Sequence, residues 1–275
     1  MKYIVIITTL LFTSVAFACS CDSPNPALEF YDSEYVFERT VISKIYAKNF
    51  QTYTVTFDIS RHYKNGATPE TLSFILKSES KYTNEWTSCD WSVQSDQKWL
   101  VYAYLGNDEL LNFDGICSNS RRIDCYPTND SKQKILDNGN DFVLGNYIYR
   151  HEYGFTHPKP ITEIDSIIEL GKKQIYKNTF AVVKMYVDKN GNLQGVINSK
   201  NYSAFKIDKI FNLPYEYNPK EKIELSEFEK EAIEVAKKIK KWEIKYHKKT
   251  GLAVAYITSI IFQYDTISMK WSYEL

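Results

Sequence analysis

All five cysteines of this chain lie in its first half, and the first two directly follow a hydrophobic N-terminal segment. They are Cys19, Cys21, Cys89, Cys117 and Cys125. Disulfides form and persist in oxidising compartments outside the cytosol. The distribution therefore predicts a disulfide-stapled domain followed by a domain without staples. Because five is an odd number, one thiol is left over.

Residues 1–18 have the pattern of a signal peptide. A charged start at Lys2 precedes an apolar core from Ile4 to Phe12, and Ala16-Phe17-Ala18 is an A-x-A cleavage signal. The apolar core is short for a membrane span, which needs about 20 residues. Cleavage would leave Cys19 as the mature N-terminus, whereas an uncleaved anchor and lipidation of Cys19 are the alternatives. We expect an exported protein that is periplasmic, secreted or anchored to the outer membrane as a lipoprotein.

Composition narrows the class of protein. The chain has 275 residues, of which 44% are hydrophobic and 25% charged, so it can bury two modest cores. Its formal net charge is +0, which argues against a general affinity for nucleic acid or for membrane surfaces. With only 4 histidines, a metal or proton-transfer site built from histidine is not expected.

Strand patterns dominate the first half after a short helix over Ala27–Ser33. In the second strand the apolar residues Tyr53, Val55, Phe57 and Ile59 alternate with polar ones, which is typical of a half-buried strand. A count of about five short strands suits a small closed barrel or a sandwich. The predicted strands are Tyr35–Ala47, Phe50–Tyr63, Thr71–Lys77, Lys98–Leu105 and Leu110–Phe113.

Four motifs in this half carry a family resemblance. They are Cys19-Ser20-Cys21, the run Ser33–Phe37, Trp99-Leu100-Val101-Tyr102-Ala103 and Gly115-Ile116-Cys117-Ser118. In this order they resemble the tissue inhibitor of metalloproteinases family, whose module is netrin-like. The resemblance implies an OB-like five-stranded β-barrel with short helices over residues 19–137.

The resemblance also implies a disulfide pairing. It joins Cys19 to Cys89 and Cys21 to Cys117. In the chain-entropy model, a bridge that closes a loop of this length stabilises a fold by roughly 4 kcal/mol. Tyr31 stands where the first cysteine of a third bridge is expected. Cys125 is then free, pairs between chains, or joins a rearranged pairing.

Inhibitors of this family chelate the active-site zinc of a protease with the amine and carbonyl of their first cysteine. The corresponding residue here is Cys19, and Ser20 would point toward the specificity pocket of the protease. Catalytic zinc keeps an open coordination position for such ligands. Chelation requires an unmodified amine on Cys19. The alternative is that the two bridges only clamp the N-terminus to the barrel.

Two further chemistries are weaker interpretations. Cys19 and Cys21 could bind a metal as thiolates, but they would need two more ligands, and His62 is the only histidine near them in sequence. Cys125 could act as a nucleophile with His151 or His157. We expect neither, and therefore predict no catalytic residue, no cofactor, no intrinsic metal and no enzymatic activity.

Residues 138–177 are predicted to form a connector. It contains a helix over Thr162–Lys173, with Ile164, Ile167 and Ile168 at helical spacing and Thr162 as the cap. The residues that follow are predicted to form a second domain over 178–275.

The second domain has a clear hairpin and a clear helix. Strands over Phe180–Val187 and Leu193–Ile197 flank the turn Asp188–Asn192. Ser226 and Glu229 form a capping box for a helix that runs to Ile239. Its apolar face and a last strand complete the pattern: Phe228, Ala232, Val235, Ala236 and Ile239, then Leu252–Tyr264.

This order resembles the TonB-type C-terminal domain. The motifs are Val187–Gly191, Glu231-Ala232, Lys241-Trp242 and Ile260–Gln263. The resemblance implies a small antiparallel sheet packed by helices, which binds an extended peptide at a sheet edge. Energy transduction is not expected, because the chain lacks a long Pro-rich spacer.

The lysines between 237 and 249 complement a helix dipole or meet an acidic partner.

The sequence thus predicts an exported protein with a mainly β fold plus an α+β domain, and the two resemblances together imply a protein of the bacterial envelope. The expected function is non-enzymatic binding of a protein or peptide, with metalloprotease inhibition through Cys19 as the alternative. The expected partner is a protein in the envelope or outside the cell. Nucleic acid is not expected, and a membrane contact is expected only if Cys19 is lipidated.

Overall fold

The computed structural model describes residues 21, 23–64, 66, 69–150, 157–201, 204–218 and 223–275. This part of the chain forms two compact units. The first contains Ser33–Thr128 with the described residues up to Pro24, and the second contains Asn25–Asp32 and Asn129–Leu275. The predicted signal peptide, Cys19 and Ser20 lie outside the described residues.

The first unit is built on one antiparallel sheet of six strands. Its order is β3-β2-β1-β4-β5, with β6 beside β4. The short strand β6 was not expected. The strands are β1 (Tyr35–Tyr46), β2 (Thr52–His62), β3 (Thr71–Lys77), β4 (Lys98–Leu105), β5 (Leu111–Asn112) and β6 (Arg121–Arg122), with one short helix, α2 (Ser80–Thr83).

Alternation along β2 builds the core of the first unit. The predicted inward residues of this strand are all buried. Phe57 and Phe74 meet edge to face at 5.7 Å, and Phe113 lies 5.0 Å from Phe74. Among the described residues no hydrogen-bonded ladder joins β3 to β5, so the sheet is not closed. The mainly β fold is confirmed, and the closed five-stranded barrel is not.

The second unit contains a larger, mixed sheet. Strand β13 pairs with β8 on one side, and with β12, β7 and β14 in succession on the other. Because β7 runs parallel to β13, the predicted purely antiparallel sheet is wrong in this detail. The strands are β7 (Ile148–Tyr149), β8 (Phe180–Val187), β9 (Leu193–Asn198), β12 (Lys245–Tyr246), β13 (Ala253–Asp265) and β14 (Lys270–Glu274), with a separate pair β10 (Phe205–Ile207) and β11 (Pro214–Tyr217).

The described residues of the second unit also form four helices and two 3₁₀ turns. The longest helix packs on β8 and β9. Its predicted capping box is confirmed: the Ser226 hydroxyl accepts from the Glu229 amide, and the Glu229 carboxylate accepts from the Ser226 amide. All five predicted apolar residues of this helix face are buried. The helices are α1 (Pro26–Asp32), α3 (Asp130–Asn138), α4 (Ile164–Ile168) and α5 (Glu227–Ala236), and the 3₁₀ turns are Gly139–Asp141 and Leu144–Asn146.

The predicted connector lies within the second unit. Its helix α4 is shorter than predicted and begins after Glu163, so Thr162 is not the cap. The Thr162 hydroxyl instead donates to the Lys241 carbonyl at 3.3 Å and accepts from the Lys241 amide at 2.9 Å. The three predicted isoleucines of this helix are nevertheless buried in the second core.

The β8–β9 turn is held from both sides. The Asp188 carboxylate accepts from the amides of Asn190 and Asn192 at 2.8 and 2.9 Å. Gly191 has a φ of +73°, and a Cβ there would lie 2.3 Å from the Trp242 carbonyl oxygen. The turn and the Lys-Trp motif, both read from the sequence, therefore touch each other.

Candidate binding sites

A disulfide fastens the start of the described chain to the first unit. Cys21 and Cys117 form this bridge across 96 residues, with a Cα–Cα distance of 5.6 Å. Beside it, the Asn119 amide group donates to the Pro24 carbonyl at 2.8 Å, and the Ser23 hydroxyl donates to the Ser118 carbonyl at 3.3 Å. The bridge and two hydrogen bonds together hold Cys21, Ser23 and Pro24.

A tight turn positions Cys117. The Asp114 carboxylate accepts from the amides of Ile116 and Cys117, at 2.6 and 2.9 Å. Gly115 packs closely against Trp91. A Cβ at this glycine would come within 2.4 Å of the indole ring. The Gly-Ile-Cys-Ser motif is therefore a turn that needs its glycine for close packing.

Cys89 is also disulfide-bonded and half-buried. The predicted bridge between Cys19 and Cys89 lies outside the described residues, because Cys19 does. The contacts of Cys19 and Ser20 that the inhibitory interpretation needs are outside them for the same reason. Both assignments stay predictions.

A nearly buried ion pair organises the segment that carries Cys89. The Lys44 ammonium lies 2.7 Å from the Glu79 carboxylate, and their side chains are 5% and 13% exposed. The Tyr46 hydroxyl donates to the same carboxylate at 3.0 Å, and the Gln94 amide group donates to it at 3.3 Å. Lys44 also lies 4.1 Å above the centre of the Tyr53 ring, a cation–π contact.

The pKa values of this cluster follow from its surroundings. Burial raises the pKa of the Glu79 carboxyl, but the hydrogen bonds from Lys44, its own backbone, Tyr46 and Gln94 outweigh burial and lower the pKa to about 2. Burial and the hydrogen bond to Glu79 raise the pKa of Tyr46 to about 12. The carboxylate is therefore charged, and the phenol neutral, over the physiological range.

Two further contacts hold the same segment. The Tyr53 hydroxyl accepts from the Val93 amide at 3.0 Å. The Asp90 carboxylate accepts from the Ser80 hydroxyl at 2.7 Å. Buried polar groups that are satisfied in this way fix a loop in one conformation.

The segment that these contacts hold, from Glu79 to Gln94, borders a cavity of about 380 Å³ in the first unit. Cys89 and Trp91 line one side of it. Exposed Ile75 and Tyr104 also line it, and Trp86, between the lining residues Glu85 and Thr87, is 79% exposed. Exposed aromatic and aliphatic side chains around a concavity are typical of interaction surfaces.

The thiol chemistries considered from the sequence find no support at these positions. Cys21 is bonded to Cys117 and cannot supply a thiolate, and a ring nitrogen of His62 pairs with the Pro69 carbonyl at 2.8 Å. Cys125 is free and exposed, so a rearranged pairing that includes it is wrong. The described residues contain no cluster of three or more His, Cys, Asp or Glu that could hold a metal ion.

A second cavity, of about 280 Å³, lies in the second unit and was not predicted. Arg150, His157 and Lys184 line it. His151, the other candidate base for Cys125, lies outside the described residues. One signal in the sequence pointed to this site. The second face of β8 is apolar at Val182 and aromatic at Tyr186, and Lys184 stands between them.

Backbone groups at the β9 edge of this sheet are already engaged. The Leu193 amide donates to the Lys240 carbonyl at 3.0 Å, and the Tyr217 hydroxyl donates to the Val196 carbonyl at 3.2 Å. A peptide that added to β9 would have to displace both. The strand addition implied by the TonB-type resemblance is therefore poorly supported at β9.

Several of the lysines after α5 have partners within the second unit. Lys237 lies 2.6 Å from Glu234, and Lys245 lies 3.3 Å from Glu243. The Lys249 ammonium donates to the Asp32 carbonyl at 2.6 Å. These contacts account for part of the basic cluster without an acidic partner molecule.

Comparison of the chain with protein-family models and with curated proteins found no match. Both family resemblances thus stay predictions. Within the described part of the chain, no helix is both long and apolar enough to cross a membrane.

Proposed function

We propose that this chain is an exported protein of the bacterial envelope that binds another protein without catalysis, and that its first unit presents the binding surface. The observation that carries the proposal is the cavity beside Cys89, with the exposed side chains of Ile75, Trp86 and Tyr104 at and beside it. The Cys21–Cys117 bridge supports export, because such bridges persist outside the reducing cytosol.

The surface has the properties of a binding site. Its two tryptophans, Trp86 and Trp91, stand on a segment that the Lys44–Glu79 pair and Tyr53 hold in place. A preorganised surface loses less conformational entropy when it binds. Tryptophan and tyrosine are also the residues that most often dominate protein interfaces.

We also propose that the first unit is related to the netrin-like, OB-type barrel. The strand order β3-β2-β1-β4-β5 supports this proposal, because closure between β3 and β5 would complete a five-stranded barrel. Residues from both of these strands line the first-unit cavity, namely Ile75 and Asn112. The binding surface would then lie where the barrel is left open.

Site-specific cross-linking tests the binding surface. A photoreactive amino acid replaces Trp86 in the full chain, and in a matched control it replaces Ile175 of the second unit, which is 85% exposed. We expect one protein to cross-link at position 86 and not at 175. That protein, once purified, should bind the Trp86→Ser variant at least about tenfold more weakly than the native chain. Equal cross-linking at both positions, or equal affinity for both chains, would contradict the proposal.

A second candidate function is inhibition of a zinc metalloprotease through Cys19. The observation that favours it is the fastening of the chain just after Cys19 and Ser20, by the Cys21–Cys117 bridge and the Asn119–Pro24 hydrogen bond. An inhibitor that presents its N-terminal amine to zinc needs such a rigid base.

The test of this candidate compares two forms of the secreted chain. One begins at Cys19, and the other carries a single extra alanine before it. Zinc proteases should be slowed by the first form only, because the extra residue displaces the chelating amine. Both forms are assayed against a panel of zinc proteases. If the two forms inhibit equally, or if neither inhibits any protease of the panel, this candidate is wrong.

A further inference from the structure

Carboxylates outnumber cations around the first-unit cavity. Its described lining residues include three acidic ones, Glu85, Asp90 and Asp114, and one basic one, Lys77. Lys77 forms an exposed ion pair with Glu85. Asp90 and Asp114 therefore leave the lining of the cavity with a net negative charge, which favours a cationic occupant.

Each of these two carboxylates keeps one oxygen for an incoming donor. One oxygen of Asp90 accepts from the amide and the hydroxyl of Ser80, at 3.2 and 2.7 Å. One oxygen of Asp114 accepts from the amides of Ile116 and Cys117. Within the part of the chain that the structure describes, Asp90 Oδ1 and Asp114 Oδ2 have no hydrogen-bond partner. The existing hydrogen bonds thus fix both carboxylates and leave an acceptor on each.

A buried hydroxyl without a partner marks the same cavity. Ser78 lines the cavity and is only 2% exposed. Its backbone amide donates to the Gln51 carbonyl at 3.0 Å, but its Oγ atom has no hydrogen-bond partner among the described residues. A buried hydroxyl that makes no hydrogen bond destabilises the fold. A donor that enters the cavity and reaches this oxygen would remove that cost.

Apolar and aromatic side chains form other walls of the cavity. Trp91 is half-buried, whereas Ile75 and Tyr104 are 58% and 40% exposed. Long basic side chains pack their methylene groups on such surfaces and keep their charged end at polar groups. Aromatic faces also attract cations. The walls therefore suit the stem of a basic side chain, and the acceptor oxygens suit its charged end.

We propose that this cavity receives an arginine side chain of the partner protein, with the guanidinium at Asp90, Asp114 and Ser78 and the methylene groups against Trp91 and Ile75. The inference rests on the proposed binding function of the first unit and names the chemistry of its partner. A guanidinium has five N–H donors in a planar fork, so it can serve several acceptor oxygens at once, which favours arginine over lysine. The volume of about 380 Å³ lies within the range of pockets that hold small ligands.

Titration of the full chain with two small amides tests the chemical class. The probes are the N-acetyl amides of arginine and of citrulline, a neutral isostere in which a urea group replaces the guanidinium. Binding is followed through the fluorine resonance of 5-fluorotryptophan at Trp91, which lines the cavity. We expect the arginine amide to bind at least about tenfold more tightly, because the citrulline amide lacks the charge that the carboxylates stabilise.

Substitutions then test the assigned residues. Asp90→Asn keeps an oxygen for Ser80 but removes a charge, and it should weaken binding of the arginine amide about tenfold. The matched control is Asp58→Asn, an exposed aspartate of β2 outside the lining of the cavity, which should bind the amide like the native chain. Ser78→Ala should weaken binding about fivefold without lowering the free energy of unfolding, because the lost hydroxyl has no partner among the described residues.

Three results would overturn the proposal. The citrulline amide could bind as tightly as the arginine amide, or neither could shift the Trp91 resonance at about 10 mM. The Asp90→Asn and Ser78→Ala chains, shown to be folded by circular dichroism, could both bind the arginine amide like the native chain. Each result would leave the partner surface standing, because cross-linking at Trp86 tests that surface without either amide. Failure of the cross-linking would instead contradict the proposed function.

Discussion

The two units of this chain reach stability by different means. The first has a core of 14 buried apolar side chains and carries the Cys21–Cys117 bridge, whereas the second has a core of 31 among its described residues and no cysteine. A small core leaves little surplus over conformational entropy, so a staple matters most there. The second unit is instead stabilised by burial of the apolar side chains of a helix and a long strand.

The difference extends to charge. The first unit holds the Lys44–Glu79 pair nearly out of solvent, which makes its binding segment depend on an electrostatic contact. In the second unit, Lys184 lies on the face of β8 opposite to Val183 and Met185, which belong to an apolar core. Substitutions at the ion pair of the first unit should therefore leave the stability of the second unit unchanged.

The largest expected effect comes from removing the staple. The double substitution Cys21→Ala and Cys117→Ala should lower the free energy of unfolding of the first unit by about 4 kcal/mol, because the bridge closes a long loop. In a chain labelled with 5-fluorotryptophan, Trp99 reports the first unit and Trp242 the second during urea unfolding. Cys125→Ser is the control and should change neither transition. A shift of both transitions by the same amount would break the comparison.

Next is the buried ion pair of the first unit. Lys44→Met leaves the Glu79 carboxylate buried without its cation and should cost about 3 kcal/mol. The matched control is Lys77→Met, whose partner Glu85 and whose own side chain are each 62% exposed. This exposed pair should contribute less than about 1 kcal/mol. Equal losses in the two variants, measured by urea unfolding, would show that burial of the pair is unimportant.

Two glycines of the second unit provide a similar contrast. Gly191→Ala should cost about 3 kcal/mol, because the new Cβ meets the Trp242 carbonyl and the positive φ is unfavourable. Gly251 also has a positive φ, but a Cβ there meets nothing within 4 Å, so Gly251→Ala should cost about 1 kcal/mol. The Trp242 resonance should report both losses while that of Trp99 stays unchanged. Identical costs would mean that the close approach at Gly191 relaxes.

The smallest expected effect is a pH dependence. The pKa of Glu79 is about 2 in the folded chain and near 4.5 in the unfolded chain, so its contribution is present above about pH 4.5 and is lost as the pH falls toward 2. Between about pH 6 and about pH 3 the first unit should lose about 2 kcal/mol through this group. Glu79→Gln should flatten that loss when unfolding is followed at Trp99. A native-like pH profile in this variant would exclude the carboxylate as the cause.

Local patterns predicted much of the fold. The strands β3, β4 and β8 have the predicted bounds, and the capping box of α5 is present. Alternation and capping act over a few residues, so they can be read without knowledge of the tertiary structure. The Thr162 cap failed for the opposite reason, since the backbone of Lys241, distant in sequence, captures its hydroxyl.

The candidate sites were harder to predict. The cavity with Lys184 exists because the two-residue strand β7 brings Arg150 beside β13, and so short a strand has no periodic signal. The first-unit surface depends on the Lys44–Glu79 contact between separate segments. The cysteines were more informative, because the family resemblance already implied the Cys21–Cys117 pair.

Hydrogen exchange on the full chain, with and without a reductant, tests the central contrast most directly. The account predicts that reduction removes the protection of β1 and β2, whereas β8 and β13 stay protected. Equal loss in both units would contradict it, and so would full protection of β1 and β2 after reduction. In either case the staple would not be what separates the first unit from the second.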